Sequence, residues 1–116
     1  MNNKRQTGSL YEKKAAEYLE KQGLFILEKN YRCRSGEIDL IAKEDSVYVF
    51  VEVKYRRDNR AGDSLSAVHT EKQKKIIKTA EYYLMMHCHC MEVPCRFDVV
   101  GIDGKNIQWV KNAFEV

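Results

Sequence analysis

An acid and a lysine close a segment of this chain that is otherwise apolar. The segment runs from Val47 to Lys54, and its β-branched and aromatic residues predict a central β-strand covered on both faces. Because side chains alternate along a strand, Glu52 and Lys54 share one face. A charge buried in such a place is costly unless another group compensates it, so the pair indicates a chemical site.

A second predicted strand, Gly36–Ala42, brings further carboxylates to the same place. A tight turn at Asp45–Ser46 pairs residues whose numbers add to 91, which sets Asp39 opposite Glu52. Glu37 shares the face of Asp39. The opposite face is then expected to be purely aliphatic, with Ile38, Leu40, Ala42, Val47, Val49, Val51 and Val53.

Length and composition indicate one folded α/β domain. The chain has 116 residues, 44% of them hydrophobic, and a single proline. The net charge of +3 does not require a nucleic-acid partner, but many basic residues follow the acidic cluster closely. They are Lys54, Arg56, Arg57, Arg60, Lys72, Lys74, Lys75 and Lys78.

The expected compartment is the cytoplasm, without membrane association. The first ten residues are polar and lack the apolar core of a signal peptide, and no apolar run reaches membrane-spanning length. The four cysteines follow no disulfide spacing, which is typical of a reducing compartment.

The order of predicted elements is helix, three strands, helix, two strands. Residues 1–8 are expected to be a flexible arm, and a capping box at Ser9 and Glu12 starts a helix that ends at Gly23. A second helix is expected from about Thr70 to Cys88. This order predicts one sheet with helices packed on it, in a single domain over residues 1–116.

The chain resembles the PD-(D/E)XK nuclease superfamily and, more closely, its small bacterial YraN-like branch, which is similar to archaeal Holliday-junction resolvases. One difference is Tyr11, since the branch usually has glycine immediately before the first-helix glutamate. The resemblance covers nearly the whole chain and rests on Tyr11-Glu12, Asn30-Tyr31-Arg32, Gly36 to Ile41, Phe50 to Lys54 with Arg56, Lys72-Gln73 and Arg96 to Val100.

The resemblance implies a restriction-endonuclease-like domain with a central mixed sheet flanked by helices. It also implies a metal-dependent endonuclease acting on nucleic acid, DNA more than RNA, with branched or structured DNA among its candidate substrates. Asp39, Glu52 and the carbonyl of Val53 would bind Mg²⁺ or Mn²⁺. Lys54 would hold the attacking water or the scissile phosphate. The alternative is a structural ion pair between Lys54 and one of the acids.

Three further residues have both a site role and a local alternative. Glu37 is a third ligand or an exposed charge at a strand end. Glu12 matches the helix acid that such nucleases direct at the metal, but its capping box would use the carboxylate locally. Gln73 matches a glutamine of the superfamily, but Thr70 and Gln73 also have capping-box spacing.

The basic residues have a similar pair of interpretations. Phosphate contacts are expected from Arg56, Arg57 and Arg60, which follow the strand of Lys54, and from Lys72 and Lys75 on the second helix. The alternative for the lysines is a solvated helix face.

Other functions remain open from the sequence. The same fold could bind nucleic acid without cutting it. A zinc-stabilised interaction domain would use His87, Cys88, His89, Cys90 and Cys95, although alternating ligands at a helix end diverge. A homodimer is also expected, because resolvase-like proteins often pair their sites to cut two strands.

Overall fold

The computed structural model describes residues 4–56, 68–90 and 92–115, with the backbone alone for residues 4–9 and 56. The observed order of elements is the predicted one. The elements are α1 (Lys4–Lys21), β1 (Phe25–Cys33), β2 (Gly36–Glu44), β3 (Val47–Arg56), α2 (Thr70–Cys88), β4 (Cys95–Asp103) and β5 (Asn106–Phe114).

The strands form one five-stranded sheet in chain order, β1-β2-β3-β4-β5. Strands β3 and β4 pair in parallel, and the other neighbouring strands of the described residues pair antiparallel. Parallel neighbours need a long crossover connection, and α2 lies within it. The predicted mixed sheet flanked by helices is therefore confirmed.

Helix α1 covers one face of the sheet with small and aliphatic side chains. A Schellman motif ends the helix: Gly23 has φ +102°, its N–H donates to Glu20, and Leu24 donates to Leu19. The buried cluster on this face comprises Ala15, Ala16, Leu19, Leu24, Leu40, Ala42, Val49, Val51, Val100 and Ile102.

Helix α2 covers the opposite face. Its N-cap is His69, which makes no side-chain cap hydrogen bond, so the predicted capping box of Thr70 and Gln73 is wrong. Within the described ranges, neither helix is long and apolar enough to cross a membrane. The cluster on this face comprises Ile38, Ile41, Phe50, Ile76, Ala80, Tyr83, Leu84, Phe97 and Phe114.

Helix α1 begins at Lys4, earlier than the sequence predicted. Ser9 and Glu12 consequently lie inside the helix, where the backbone N–H groups bond within the helix and need no cap. The predicted capping box is wrong for this reason, and the local alternative for the Glu12 carboxylate disappears with it.

The β2–β3 register is the predicted one. Pairs run from Glu44–Val47, beside the two-residue turn, to Leu40–Val51, and their numbers add to 91. Asp45, the first residue of the turn, has φ +54°, which tight hairpin turns require and aspartate tolerates.

Ile38 is the exception to the predicted faces. It packs with α2, whereas Leu40, two residues later, packs with α1, so the alternation of side chains breaks at Asp39. The facing residue on β1 is also irregular, because Asn30 has φ +54°. This local kink turns the end of β2 relative to the rest of the strand.

Candidate functional site

The acids at this kink define the carboxylate site, which consists of Glu12, Asp39, Glu52 and Lys54. Asp39 is half-buried, and its Oδ2 accepts a hydrogen bond from the backbone N–H of Val53 at 2.8 Å. This bond lies beyond the last ladder pair, so a side chain continues the connection between β2 and β3.

Glu52 projects from β3 toward α2. Its side chain is only 6% exposed, and its Oε2 forms an ion pair with the ammonium of Lys72 on α2. Lys54, two residues later on β3, is half-buried and shares the face of Glu52. The structure brings Glu52 and Asp39 together at this end of the sheet, where their side chains interact, although the β2–β3 ladder ends at Leu40–Val51.

Glu12 approaches from α1. Its carboxyl interacts by side-chain hydrogen bonds with Asn30 and with Asp39. Burial raises the pKa of Glu12, and the negative charges of Glu37 and Glu52 act in the same direction. Two helices and two strands therefore supply the polar groups around Asp39.

The electrostatics of Asp39 differ from those of an exposed carboxylate. Its pKa is raised to about 8, first by burial and next by the charge of Glu52, while the N–H of Val53 acts in the opposite sense. The Asp39 carboxyl therefore holds a proton at neutral pH when no added cation is present. The raised pKa reflects the cost of placing a second negative charge beside Glu52.

The remaining predicted acid lies at the rim. Glu37 is partly exposed and binds Arg32 on the neighbouring strand, with 2.9 Å between Oε2 and Nε. Its charge still acts on Glu12 and Lys72. A ligand role for Glu37 stays a prediction, as does that of the Val53 carbonyl.

Gln73 and the basic residues are placed differently from one another. Gln73 donates a hydrogen bond from its Nε2 to the carbonyl of Val68, so its amide contacts the backbone just before α2 begins. Lys75 is exposed, with its Cβ facing Gly36 across the α2–β2 contact. Arg57 and Arg60 lie outside the described residues, as does the side chain of Arg56.

The donor set fits a hard divalent cation that keeps water ligands. In the described part of the chain no three His, Cys, Asp or Glu side chains are arranged to hold a metal ion. Mg²⁺, however, is commonly bound through one or two carboxylates, with water completing its shell. Asp39 and Glu52 supply two such carboxylates. Around His87, which stacks on Tyr83 with 4.1 Å between the ring centroids, the described residues likewise form no group of three metal ligands.

Asp98 belongs to a separate polar network. It is fully buried and accepts hydrogen bonds from Arg96 Nε, Trp109 Nε1 and the backbone N–H of Asn112. Arg96 also binds Glu44 at 2.7 Å and thereby lowers the pKa of that carboxyl. Asp98 is therefore a structural partner of Arg96.

The sequence did not predict two contacts in this region. One is the pairing of Lys72 with Glu52. The other is a parallel stack of Tyr11 on Tyr55, with ring centroids 4.2 Å apart. The sequence held a signal for the second contact. Tyr11, in place of the branch's usual glycine, adjoins Glu12, and Tyr55 adjoins Lys54, so both rings stand next to residues of the same site.

The fold, with its acidic site where β2 and β3 separate, defines a restriction-endonuclease-like domain. The sequence model of the uncharacterised protein family UPF0102 matches residues 11–102, and the chain belongs to this family, the YraN-like group. A UPF0102 protein of Lachnoclostridium phytofermentans is 47% identical over 97% of this chain and 96% of its own. A UPF0102 protein of Nitrosomonas europaea is 48% identical over 93% of this chain and 92% of its own length. A UPF0102 protein of Coxiella burnetii is 47% identical over 90% of this chain and 88% of its own length.

Proposed function

We propose that this protein is a metal-dependent endonuclease that hydrolyses phosphodiester bonds in nucleic acid. The observation that carries the proposal is that the acids Asp39 and Glu52 lie together at the end of an apolar sheet, where Asp39 also accepts a hydrogen bond from the backbone N–H of Val53. Two acids placed together in this way lower the stability of the fold, but they can bind a cation.

The carboxylates would hold Mg²⁺ or Mn²⁺. Oxygen donors suit these hard cations, and a divalent ion would replace the proton that Asp39 otherwise holds. When bound, the metal lowers the pKa of a coordinated water and neutralises charge on the phosphodiester. Glu12, hydrogen-bonded to Asp39, orients that carboxyl.

Lys54 would act on the substrate. It is held on the same rigid strand face as Glu52, where its ammonium can hold the scissile phosphate or the attacking water. This role requires a fixed position close to the acids, and two residues of strand provide it.

Nucleic acid is the proposed partner, with DNA preferred to RNA and branched or structured DNA among the candidates. The basic residues Arg56, Arg57, Arg60, Lys72 and Lys75 would contact phosphates without reading sequence. A homodimer would bring two sites together for cleavage of two strands. The affinity for DNA should fall steeply with salt concentration.

The test is cleavage of labelled duplex, branched, flap and single-stranded oligonucleotides with Mg²⁺ or Mn²⁺. Asp39→Asn should abolish cleavage because it removes a ligand charge. Asp45→Asn is the matched control, since it makes the same change at the β2–β3 turn, where asparagine tolerates the positive φ. Cleavage that survives Asp39→Asn would contradict the proposal.

The second candidate is a non-catalytic module that binds nucleic acid with the same surface. The ion pair of Glu52 with Lys72 favours it, because this pair satisfies a ligand acid without any metal. Salt-sensitive oligonucleotide binding, with no cleavage under any metal condition, would select this candidate.

A further inference from the structure

Lys72 reaches the carboxylate site from a different element than the other groups. It lies in the first turn of α2, and its side chain is 56% exposed, whereas its partner Glu52 is 6% exposed. The ammonium thus touches a buried acid while much of the side chain borders solvent. Such a side chain can leave the site with little rearrangement of the core.

The ammonium pairs with Glu52 and is also affected by the charges of two other acids. Partial burial acts to lower the pKa of Lys72, but the hydrogen bond and charge of Glu52, with the charges of Asp39 and Glu37, raise it overall. Lys72 is therefore a cation located in the negative potential of the ligand acids. A divalent ion bound there would compete with it for the same Glu52 oxygens.

We infer that Lys72 is a built-in counter-cation of the carboxylate site, which occupies Glu52 until a divalent metal ion displaces it. Displacement frees the ammonium on an exposed helix face, where it can bind a phosphate of the substrate. The inference concerns the regulation of the site in the proposed function and rests on the metal binding described there.

The inference predicts that removal of the Lys72 charge strengthens metal binding and destabilises the metal-free protein. Without the Lys72 charge, Glu52 has no ammonium to lose, so metal binding should be stronger. One charge-assisted hydrogen bond to a buried acid corresponds to about a tenfold change in the dissociation constant. The metal-free protein should melt at a lower temperature, since its acids lose a counter-charge.

The experiment is calorimetric titration of the metal-stripped full chain with Mn²⁺, together with melting curves. Lys72→Met should bind Mn²⁺ about tenfold more tightly than the wild type and melt lower without metal. Lys74→Met is the matched control, because it removes the same charge from the same helix two residues away, on a different side. Lys72→Gln keeps a hydrogen-bond donor without the charge and serves if Lys72→Met fails to fold.

The outcomes separate this inference from the proposed function. Equal or weaker Mn²⁺ binding by both Lys72 variants overturns the inference, and so does an absence of Mn²⁺ binding in every variant. Binding by the Lys72 variants alone supports it. Oligonucleotide cleavage is assayed in parallel: tighter Mn²⁺ binding without cleavage in any variant leaves the counter-cation role intact and rejects the nuclease.

Discussion

The carboxylate of Asp39 on β2 accepts a hydrogen bond from the backbone N–H of Val53 on β3, with 2.8 Å between the atoms. This bond fixes Asp39 against the strand that carries Glu52. The acids are therefore close because the sheet holds them there, and their mutual repulsion is part of the folded state. Stability should consequently depend on whether Asp39 is protonated.

The free energy of unfolding should fall as the pH rises from about 4 to about 8. Burial raises the pKa of Asp39 to about 8, from an ordinary value of 3.8, so the folded protein keeps a proton that the unfolded chain releases in this window. Its contribution is fully present below the unfolded pKa and is lost as the pH passes the folded pKa. One such proton gives a slope of at most about 1.4 kcal/mol per pH unit.

Urea unfolding of the wild type and Asp39→Asn at several pH values tests this. The variant retains an oxygen for the N–H of Val53 but has no titrating proton, so it should lose the slope and gain stability at pH 8. A wild type with the same pH profile as the variant would contradict the assigned cause.

The substitution Asp98→Asn should lower the free energy of unfolding, in contrast to Asp39→Asn. Asp98 accepts bonds from Arg96, Trp109 and Asn112 while fully buried, and an amide would turn N–H groups toward these donors. We expect a loss of about 3 kcal/mol in the free energy of unfolding at pH 7. Urea denaturation measures it, with Asp39→Asn as the comparison, because that replacement of a half-buried aspartate is expected to stabilise the protein.

Tyr11→Gly should destabilise the protein by about 2 kcal/mol, from the lost stack on Tyr55 and the lower helix propensity of glycine. Tyr82→Gly on the exposed face of α2 is the matched control and should lose about 1 kcal/mol. Thermal unfolding compares them. Equal losses would show that the stack contributes nothing to the attachment of α1.

Gly36→Ala should be more harmful than Gly104→Ala. Both glycines have positive φ, +154° and +61°, so each substitution introduces backbone strain. Only at Gly36 would the new Cβ also meet Thr79 Oγ1 at 3.3 Å and the Cβ of Lys75 at 3.4 Å. A difference of about 1 kcal/mol in denaturant unfolding is expected, and the reverse ranking would contradict it.

The sequence predicted the sheet well because its signals are local. Alternating side chains and a two-residue turn at Asp45 determine the β2–β3 register, and that register places Asp39 beside β3. The kink at Asn30 was not predictable, since a single asparagine gives no sign that it will adopt positive φ within a strand. Ile38 was assigned to the wrong face for this reason.

The contacts of the helices were harder to predict. Ser9 and Glu12 have capping-box spacing, but α1 continues back through Gly8 to Lys4, despite the low helix propensity of glycine. The sequence predicted that Lys72 contacts phosphates or lies on a solvated helix face. Its pairing with Glu52 depends on how α2 crosses the sheet, which periodicity within the helix does not reveal.

The single parallel pair of the sheet has a consequence for the order of folding. Strands β1, β2 and β3 are joined by short turns, whereas Tyr48 of β3 meets Cys95 of β4 only after the chain has passed through α2. Closing the longer loop requires more chain entropy, so the three-stranded meander should form first. Asp39 and Glu52 would then meet before Lys72 arrives, and acidic conditions or a divalent ion should speed refolding.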